Sequence, residues 1–134
     1  MLLLVWCGTG GACGGRQNQQ PRERSASGGG VTVVQGSELS AGNLLDALRT
    51  RVPTMAVSTR SGECPRIVFR GVRSQNQGNP SVYVDGTRML DTCVLTQIPA
   101  ADVDYVEVHP SSASSPPGIQ RNPFGLILVY RLRQ

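Results

Sequence analysis

The strongest constraint on the fold is a set of four short apolar runs, each beside a turn signal, in the second half of the chain. They occupy residues 67–71, 82–86, 98–108 and 122–129. β-Branched and aromatic residues dominate the runs, and Gly, Pro, Asn or Asp bound them, which is typical of strands. The second half of the chain is therefore predicted to build a β-sheet.

One amphipathic helix is predicted ahead of these runs, over residues 40–52. Ser37 or Ser40 is expected to cap its first turn, and Pro53 ends it. Four aliphatic residues recur at helical spacing and would face the core: Leu44, Leu45, Leu48 and Val52.

Shorter elements complete the predicted fold. A β-branched run at 31–34 indicates a first strand, and 98–102 reads as one helical turn. The nearly continuous apolar run at 126–132 is typical of a central strand. The pattern predicts an α+β fold, with a small mixed β-sheet of about four to five strands on which one main helix and a short helical turn pack.

The four runs and the preceding helix together resemble the plug domain of TonB-dependent outer-membrane receptors, over about residues 31–132. In that family the plug sits inside a large β-barrel and gates it. A chain of 134 residues is too short to encode such a barrel of about twenty strands. One departure is Ser115-Pro116-Pro117-Gly118 where plug domains often carry Tyr-Gly, although Phe124-Gly125 restores the pattern.

The resemblance implies a non-enzymatic binding or assembly module of the bacterial cell envelope, at the outer membrane facing the periplasm. Its partner would be an envelope protein such as an outer-membrane barrel or a TonB-type protein. The alternative is a component that plugs or regulates a separately encoded transport barrel. Residues 31–134 would form the plug-like domain.

The first thirty residues differ in composition from the rest. Residues 1–13 read as a truncated export signal that resembles a lipoprotein signal, with Ala12 before Cys13, the candidate lipidation site. A degraded or ordinary secretory signal, or a wrongly assigned start, remain alternatives. Residues 14–30 contain no large aliphatic side chain and read as a flexible tether. A lipid anchor would hold the domain at a membrane.

Two cysteines, Cys64 and Cys93, lie in the predicted folded part. In an exported protein such a pair favours a disulfide. A structural metal is the weaker alternative, because His109 is the sole histidine and no Cys-x-x-Cys occurs. No cofactor is expected.

Charge and motif content argue against nucleic-acid binding and catalysis. The thirteen basic residues are all arginines and are scattered rather than clustered, with few aromatics between them. The absence of lysine excludes a phosphate-binding Gly-x-x-x-x-Gly-Lys loop. His109 precedes Pro110 at a predicted strand end, where a solvent-facing position is expected rather than a catalytic base.

Four charged residues are candidates for partner binding. The resemblance implies that Arg70 and Glu107, in otherwise apolar strands, face a partner or pair with each other. The alternative is a solvated strand face, since burying either charge unpaired would cost several kcal/mol. Arg73 lies in a polar loop at 73–80, and Asp85 in the turn after a strand. A second loop, at 111–122, is expected to join this surface.

Overall fold

The computed structural model describes residues 30–71 and 78–134, which contain seven strands and two α-helices. No helix among these residues is long and apolar enough to cross a membrane. The strands and helices are β1 Thr32–Gln35, α1 Leu44–Arg51, β2 Met55–Ser58, β3 Arg66–Phe69, β4 Ser81–Val84, β5 Thr87–Arg88, α2 Val94–Gln97, β6 Val103–His109 and β7 Leu126–Arg131.

Five of the strands form one mixed sheet in the order β1-β6-β7-β4-β5. β7 lies at its centre, antiparallel to β6 and parallel to β4. The predicted α+β class, the number of strands and the central place of the last strand are confirmed. The nearly continuous apolar run of β7 agrees with this position, since four of its six residues are buried.

One of the four apolar runs lies outside this sheet. β3 pairs with β2 in a separate two-stranded antiparallel sheet, with Met55 opposite Phe69 and Ser58 opposite Arg66. The run at 67–71 therefore does not join the sheet to which the other three runs contribute strands. The physical reason is local, because β2 and β3 are close in sequence and can pair through one short connection.

The core lies between α1 and one face of the five-stranded sheet. Leu44 and Leu48 of α1 have no exposed surface, and Met55, Ile67 and Phe69 of the small sheet join the same cluster. Burying a leucine side chain fully contributes about 1.5–3 kcal/mol. The sheet contributes only aliphatic residues to this cluster: Val34, Val82, Val84, Val103, Val106, Val108, Ile127 and Val129.

Helix α1 begins later than predicted. Asn43, not Ser37 or Ser40, caps it, with its Oδ1 accepting from the Asp46 amide at 2.9 Å. The residues before Asn43 are not helical because their backbone groups pair elsewhere. The Gly42 carbonyl accepts from the amide of Ala100 at 2.8 Å. The predicted end of the helix just before Pro53 is confirmed.

A tight turn follows β4, as predicted from Asp85-Gly86. Both residues have positive φ, 48° at Asp85 and 83° at Gly86. The turn leads into β5, a two-residue exposed strand that the sequence pattern did not indicate. Helix α2 is a further element missing from the prediction, while a 3₁₀ turn at Ala100–Asp102 occupies the predicted helical turn.

Candidate partner-binding surface

The sheet face opposite α1 differs in chemistry from the core face. Side chains alternate along strands, so the residues between the core valines point to this second face. One row across four paired strands consists of Val33, Glu107, Leu128 and Tyr83. With Tyr105 and Tyr130 in the next row, the face carries all three tyrosines of the chain. We refer to it as the open face.

The tyrosines give the open face a partly covered apolar surface with polar tips. The rings of Tyr105 and Tyr130 stack with centroids 4.4 Å apart and planes at 17°, an arrangement worth about 0.5–1.5 kcal/mol. All three tyrosines are half-buried, and Val33 is 49% exposed. Burial, then the Glu107 carboxylate and Tyr105, raise the pKa of the Tyr130 phenol, because they disfavour the phenolate.

Glu107 lies within this face with its carboxylate beside a histidine. Its Oε2 is 3.3 Å from Nε2 of His109, and 26% of its side chain is exposed. Arg70 lies in the exposed turn after β3, where its amide donates to the carbonyl of Thr54 at 2.7 Å. Among the described residues no ion pair joins Arg70 to Glu107, whose carboxylate faces His109.

His109 is buried, so the prediction of a solvent-facing strand-end residue is wrong. It is 3% exposed. Its Nδ1 lies 2.6 Å from the Ser114 carbonyl, which can only accept, so Nδ1 donates. The imidazole thus fixes the segment after β6 to the sheet. Pro110 indicates that a strand ends at His109, but it does not indicate that the following loop folds back over the His109 ring.

The two predicted partner loops meet at one end of the sheet, in their described parts. The Asn122 side-chain amide donates to the Asn79 carbonyl at 3.1 Å and to Ser81 Oγ at 3.0 Å. Arg88 Nη1 donates to Gln120 Oε1 at 2.8 Å, which fixes the second loop to β5. Arg73 lies outside the described residues.

Gly125 sets the close approach between the second loop, the small sheet and β6. Its φ is 106°, and a Cβ there would lie 2.7 Å from the Phe69 ring and 2.8 Å from the His109 carbonyl. A side chain at this position is excluded on both counts. The fold therefore requires a glycine directly before β7.

Asp85 is held within the domain. Its carboxylate accepts from the Arg131 backbone amide at 2.9 Å and from Arg131 Nε at 2.6 Å. These backbone and side-chain hydrogen bonds lower the pKa of the Asp85 carboxyl. Beside this pair lies an open cleft of about 1250 Å³, whose lining includes the stacked tyrosines, Asp102 and Asp104.

A disulfide joins Cys64 and Cys93, the pair that the sequence predicts, with Cα atoms 4.8 Å apart. It connects the segment before β3 to the start of α2. On the chain-entropy model a cross-link over this separation contributes roughly 3–4 kcal/mol. Cys13, the candidate lipidation site, lies outside the described residues, as do both segments before residue 30.

Comparison with protein families agrees with this architecture. Residues 23–121 match the family model described as TonB-dependent Receptor Plug Domain. The chain belongs to the TonB-dependent receptor plug domain family. No curated protein sequence matches this plug domain.

Solved structures of an importer and a transporter contain a similar fold, and in each the match is confined to one part of the chain. The RagAB peptide importer, in its closed-closed and open-open states, matches with 22% identity and a TM-score of 0.60, covering 78% of this plug domain and 12% of that chain. The copper transporter OprC matches with 23% identity and a TM-score of 0.52, covering 82% and 18%. The plug domain thus spans a small fraction of either relative.

The sequence reasoning did not single out the tyrosines of the plug domain. One signal is present, since Tyr105-Val106-Glu107-Val108 alternates, as a strand covered on one side does. The alternation places Tyr105 and Glu107 together on the second face. Tyr130 follows a continuous apolar run that has no period, so only the strand register assigns it to a face.

Proposed function

We propose that this chain is a non-enzymatic binding and assembly module at the outer membrane, facing the periplasm. It docks against another envelope protein, an outer-membrane barrel or a TonB-type protein. The observation that carries the proposal is the open face, which combines three half-buried tyrosines with a partly desolvated carboxylate at Glu107. Membership of the plug domain family supports the location.

The energetics of the open face favour a protein partner. Tyrosine is enriched in protein interfaces because its ring supplies contact area and its hydroxyl a hydrogen bond. Covering Val33 and the tyrosine rings would remove further apolar area from water. Within the described residues the one ion-pair contact of Glu107 is with His109, so a cationic side chain of a partner would complete its environment.

Arg70 extends the proposed contact toward the first loop, and Arg73 is included in the proposal on its sequence alone. Arg70 is exposed beside the small sheet, whose Phe69 packs near the end of the second loop. Arginine suits this role because its guanidinium binds carboxylates through two hydrogen bonds. Asp85 belongs to the same proposed surface through its 40% exposed side chain, although Arg131 already engages it.

The geometry of His109 supports a non-enzymatic role. One ring nitrogen faces the Ser114 carbonyl and the other the Glu107 carboxylate, and neither contact is a hydroxyl or a thiol. A catalytic histidine needs a nitrogen directed at a hydroxyl, a thiol or a substrate. These contacts support a ring that attaches a loop rather than one that takes a proton from an attacking group.

Site-specific crosslinking in envelope membranes tests the docking role. A photo-crosslinking residue at Tyr83, on the open face, should capture one discrete partner, and the same residue at exposed Thr50 on α1 should not. Equal capture from both positions would refute a docking role for the open face.

Charge reversal tests the individual residues. Arg70→Glu and Glu107→Lys should lower partner capture several-fold at unchanged melting temperature, whereas Arg49→Glu on α1 should leave capture intact. If a variant lowered the melting temperature and left partner capture intact, its residue would be assigned to folding instead.

The identity of the captured partner separates the two forms of the proposal. A separately encoded barrel and a TonB-type protein are the two partners to be distinguished. A barrel recovered in equal amount with the chain would favour a component that plugs or regulates that barrel. A TonB-type protein would favour the assembly module.

Attachment to the membrane through a lipidated Cys13 is part of the proposal. Cys13→Ser should then move the protein from the membrane fraction to the soluble fraction, with Cys7→Ser as the matched control. Unchanged fractionation of Cys13→Ser would remove the lipid anchor from the proposal and leave the docking role to the crosslinking experiment.

A further inference from the structure

The disulfide has a carboxylate beside it. Potential ligand atoms of Cys64, Cys93 and Asp91 all lie within 4.8 Å of one another. We propose that, once a dithiol has reduced the disulfide, these three residues bind a thiophilic divalent cation such as Zn²⁺. The proposal concerns the reduced chain alone and does not depend on the docking role.

The two cysteines are held together by more than their own bond. Thr92 Oγ1 donates to the Pro65 carbonyl at 2.5 Å, and both residues are buried. Each is the immediate neighbour of one cysteine, so this hydrogen bond connects the same two segments as the disulfide. A buried hydrogen bond is costly to leave unmade. The segments therefore remain adjacent when the sulfur–sulfur bond is cleaved.

Asp91 is oriented toward the cysteines by the backbone. Its Oδ1 accepts from the Cys93 amide at 2.9 Å, two residues on in the chain. This bond fixes the carboxylate beside the start of α2 and leaves Oδ2 available as a ligand. Asp91 is exposed and both cysteines are half-buried, so a cation has access from solvent.

The donor set fits the chemistry of zinc. Zn²⁺ takes four ligands in a tetrahedron, with thiolate sulfur at about 2.3 Å and carboxylate oxygen at about 2.0–2.2 Å. Two thiolates and one carboxylate supply three positions, and water supplies the fourth. Soft thiolate ligands select zinc over magnesium or calcium, which prefer oxygen.

The reaction balances in two steps. A dithiol transfers two electrons and two protons to the disulfide, giving two cysteine thiols and its own disulfide. Cation binding then forms two metal–sulfur bonds and releases both thiol protons. The cation restores a cross-link between the segment before β3 and α2, which reduction alone would remove.

Cadmium binding to the reduced full-length chain tests the proposal. All proteins carry Cys7→Ser and Cys13→Ser, so that only Cys64 and Cys93 supply thiols. Cd²⁺ alone is titrated in, and the ultraviolet thiolate-to-cadmium charge-transfer band is recorded, with Zn²⁺ competing against a chromophoric chelator. We expect one cation per chain when reduced and no band when oxidised.

A variant of Asp91 distinguishes a three-residue metal site from binding by the two thiols alone. Asp91→Asn should weaken binding by at least about tenfold, since even indirect partners of a metal cost that much, whereas the matched control Asp104→Asn should bind as the parent does. Circular dichroism of the reduced chain checks that the fold persists. An unfolded chain would bind through thiols without Asp91, so equal affinity of Asp91→Asn and parent, or no band at all, overturns the proposal.

Discussion

The two faces of the five-stranded sheet are built from the same strands and yet differ in nearly every property. The face toward α1 carries only aliphatic side chains, almost all below 5% exposure. The open face carries three tyrosines, a glutamate and a buried histidine, and Val33 there is half-exposed. Residues adjacent in sequence thus belong to environments of opposite chemistry.

This difference separates what stabilises the domain from what it offers to a partner. The core face gains free energy by removing aliphatic area from water, which requires no particular geometry of charges. The open face retains polar tips that must find hydrogen-bond partners when covered. We infer that stability depends mainly on the core face, and that the open face tolerates change until a partner is present.

The largest expected effect is on the core face. Leu48→Ala removes a fully buried side chain and should lower the free energy of unfolding by about 2–5 kcal/mol. Val33→Ala, on the open face, should cost less than about 1 kcal/mol. Urea denaturation followed by circular dichroism measures both. Equal decreases in the free energy of unfolding would show that the two faces contribute equally to stability, contrary to the comparison.

An intermediate effect is expected where the open face is fixed to its loop. His109→Leu leaves the Ser114 carbonyl without its donor, which should cost about 1–3 kcal/mol. Glu107→Gln keeps the hydrogen bond between His109 and Ser114 and should lower the free energy of unfolding clearly less. Denaturation gives the free energies, and hydrogen exchange of residues 111–122 should rise in the histidine variant. If exchange there stayed unchanged, the imidazole would not be what holds the loop.

The smallest effect is expected at Asp85, at the end of the open face. Asp85→Asn weakens the contact with Arg131 and should cost at most about 1 kcal/mol, because both side chains are substantially exposed. Since folding lowers the Asp85 pKa from 3.8, the contribution of the ionised carboxylate is present above that pH and is lost as the pH falls through the folded value.

Unfolding of the parent and Asp85→Asn at neutral pH and well below pH 3.8 measures this difference. The gap between the two proteins should close at acid pH. Loss of partner capture by Asp85→Asn at unchanged stability would support the proposed place of Asp85 in the docking surface.

Much of the fold could be predicted from the sequence, because apolar residues recur at helical spacing in the helix and form short runs bounded by turn residues in the strands. The helix, the strand at 81–84 and the central position of β7 follow from such patterns. The pairing of β3 with β2 could not be predicted, since a short apolar strand does not indicate which sheet it joins. The start of α1 was missed because distant backbone groups near Ala100 compete for the residues before Asn43.

The candidate site was less predictable than the fold. The disulfide follows from the presence of two cysteines, Cys64 and Cys93, in the predicted folded part. The turn at Asp85 follows from its residue types. The burial of His109 depends on a loop that returns across the sheet, and loops carry no period. The grouping of Tyr83 with Tyr105 and Tyr130 depends on strand order, which exists only once β7 lies between β6 and β4.

That position of β7 bears on how the domain is made. β7 is last in chain order among the described strands, yet β6 and β4 have no contact as neighbours until it lies between them. A chain emerging amino-terminus first cannot complete its sheet before residues 126–131 are available. Pairings between distant segments also slow folding. The five-stranded sheet would therefore stay incomplete, with apolar strands accessible to chaperones, until residues 126–131 have been synthesised.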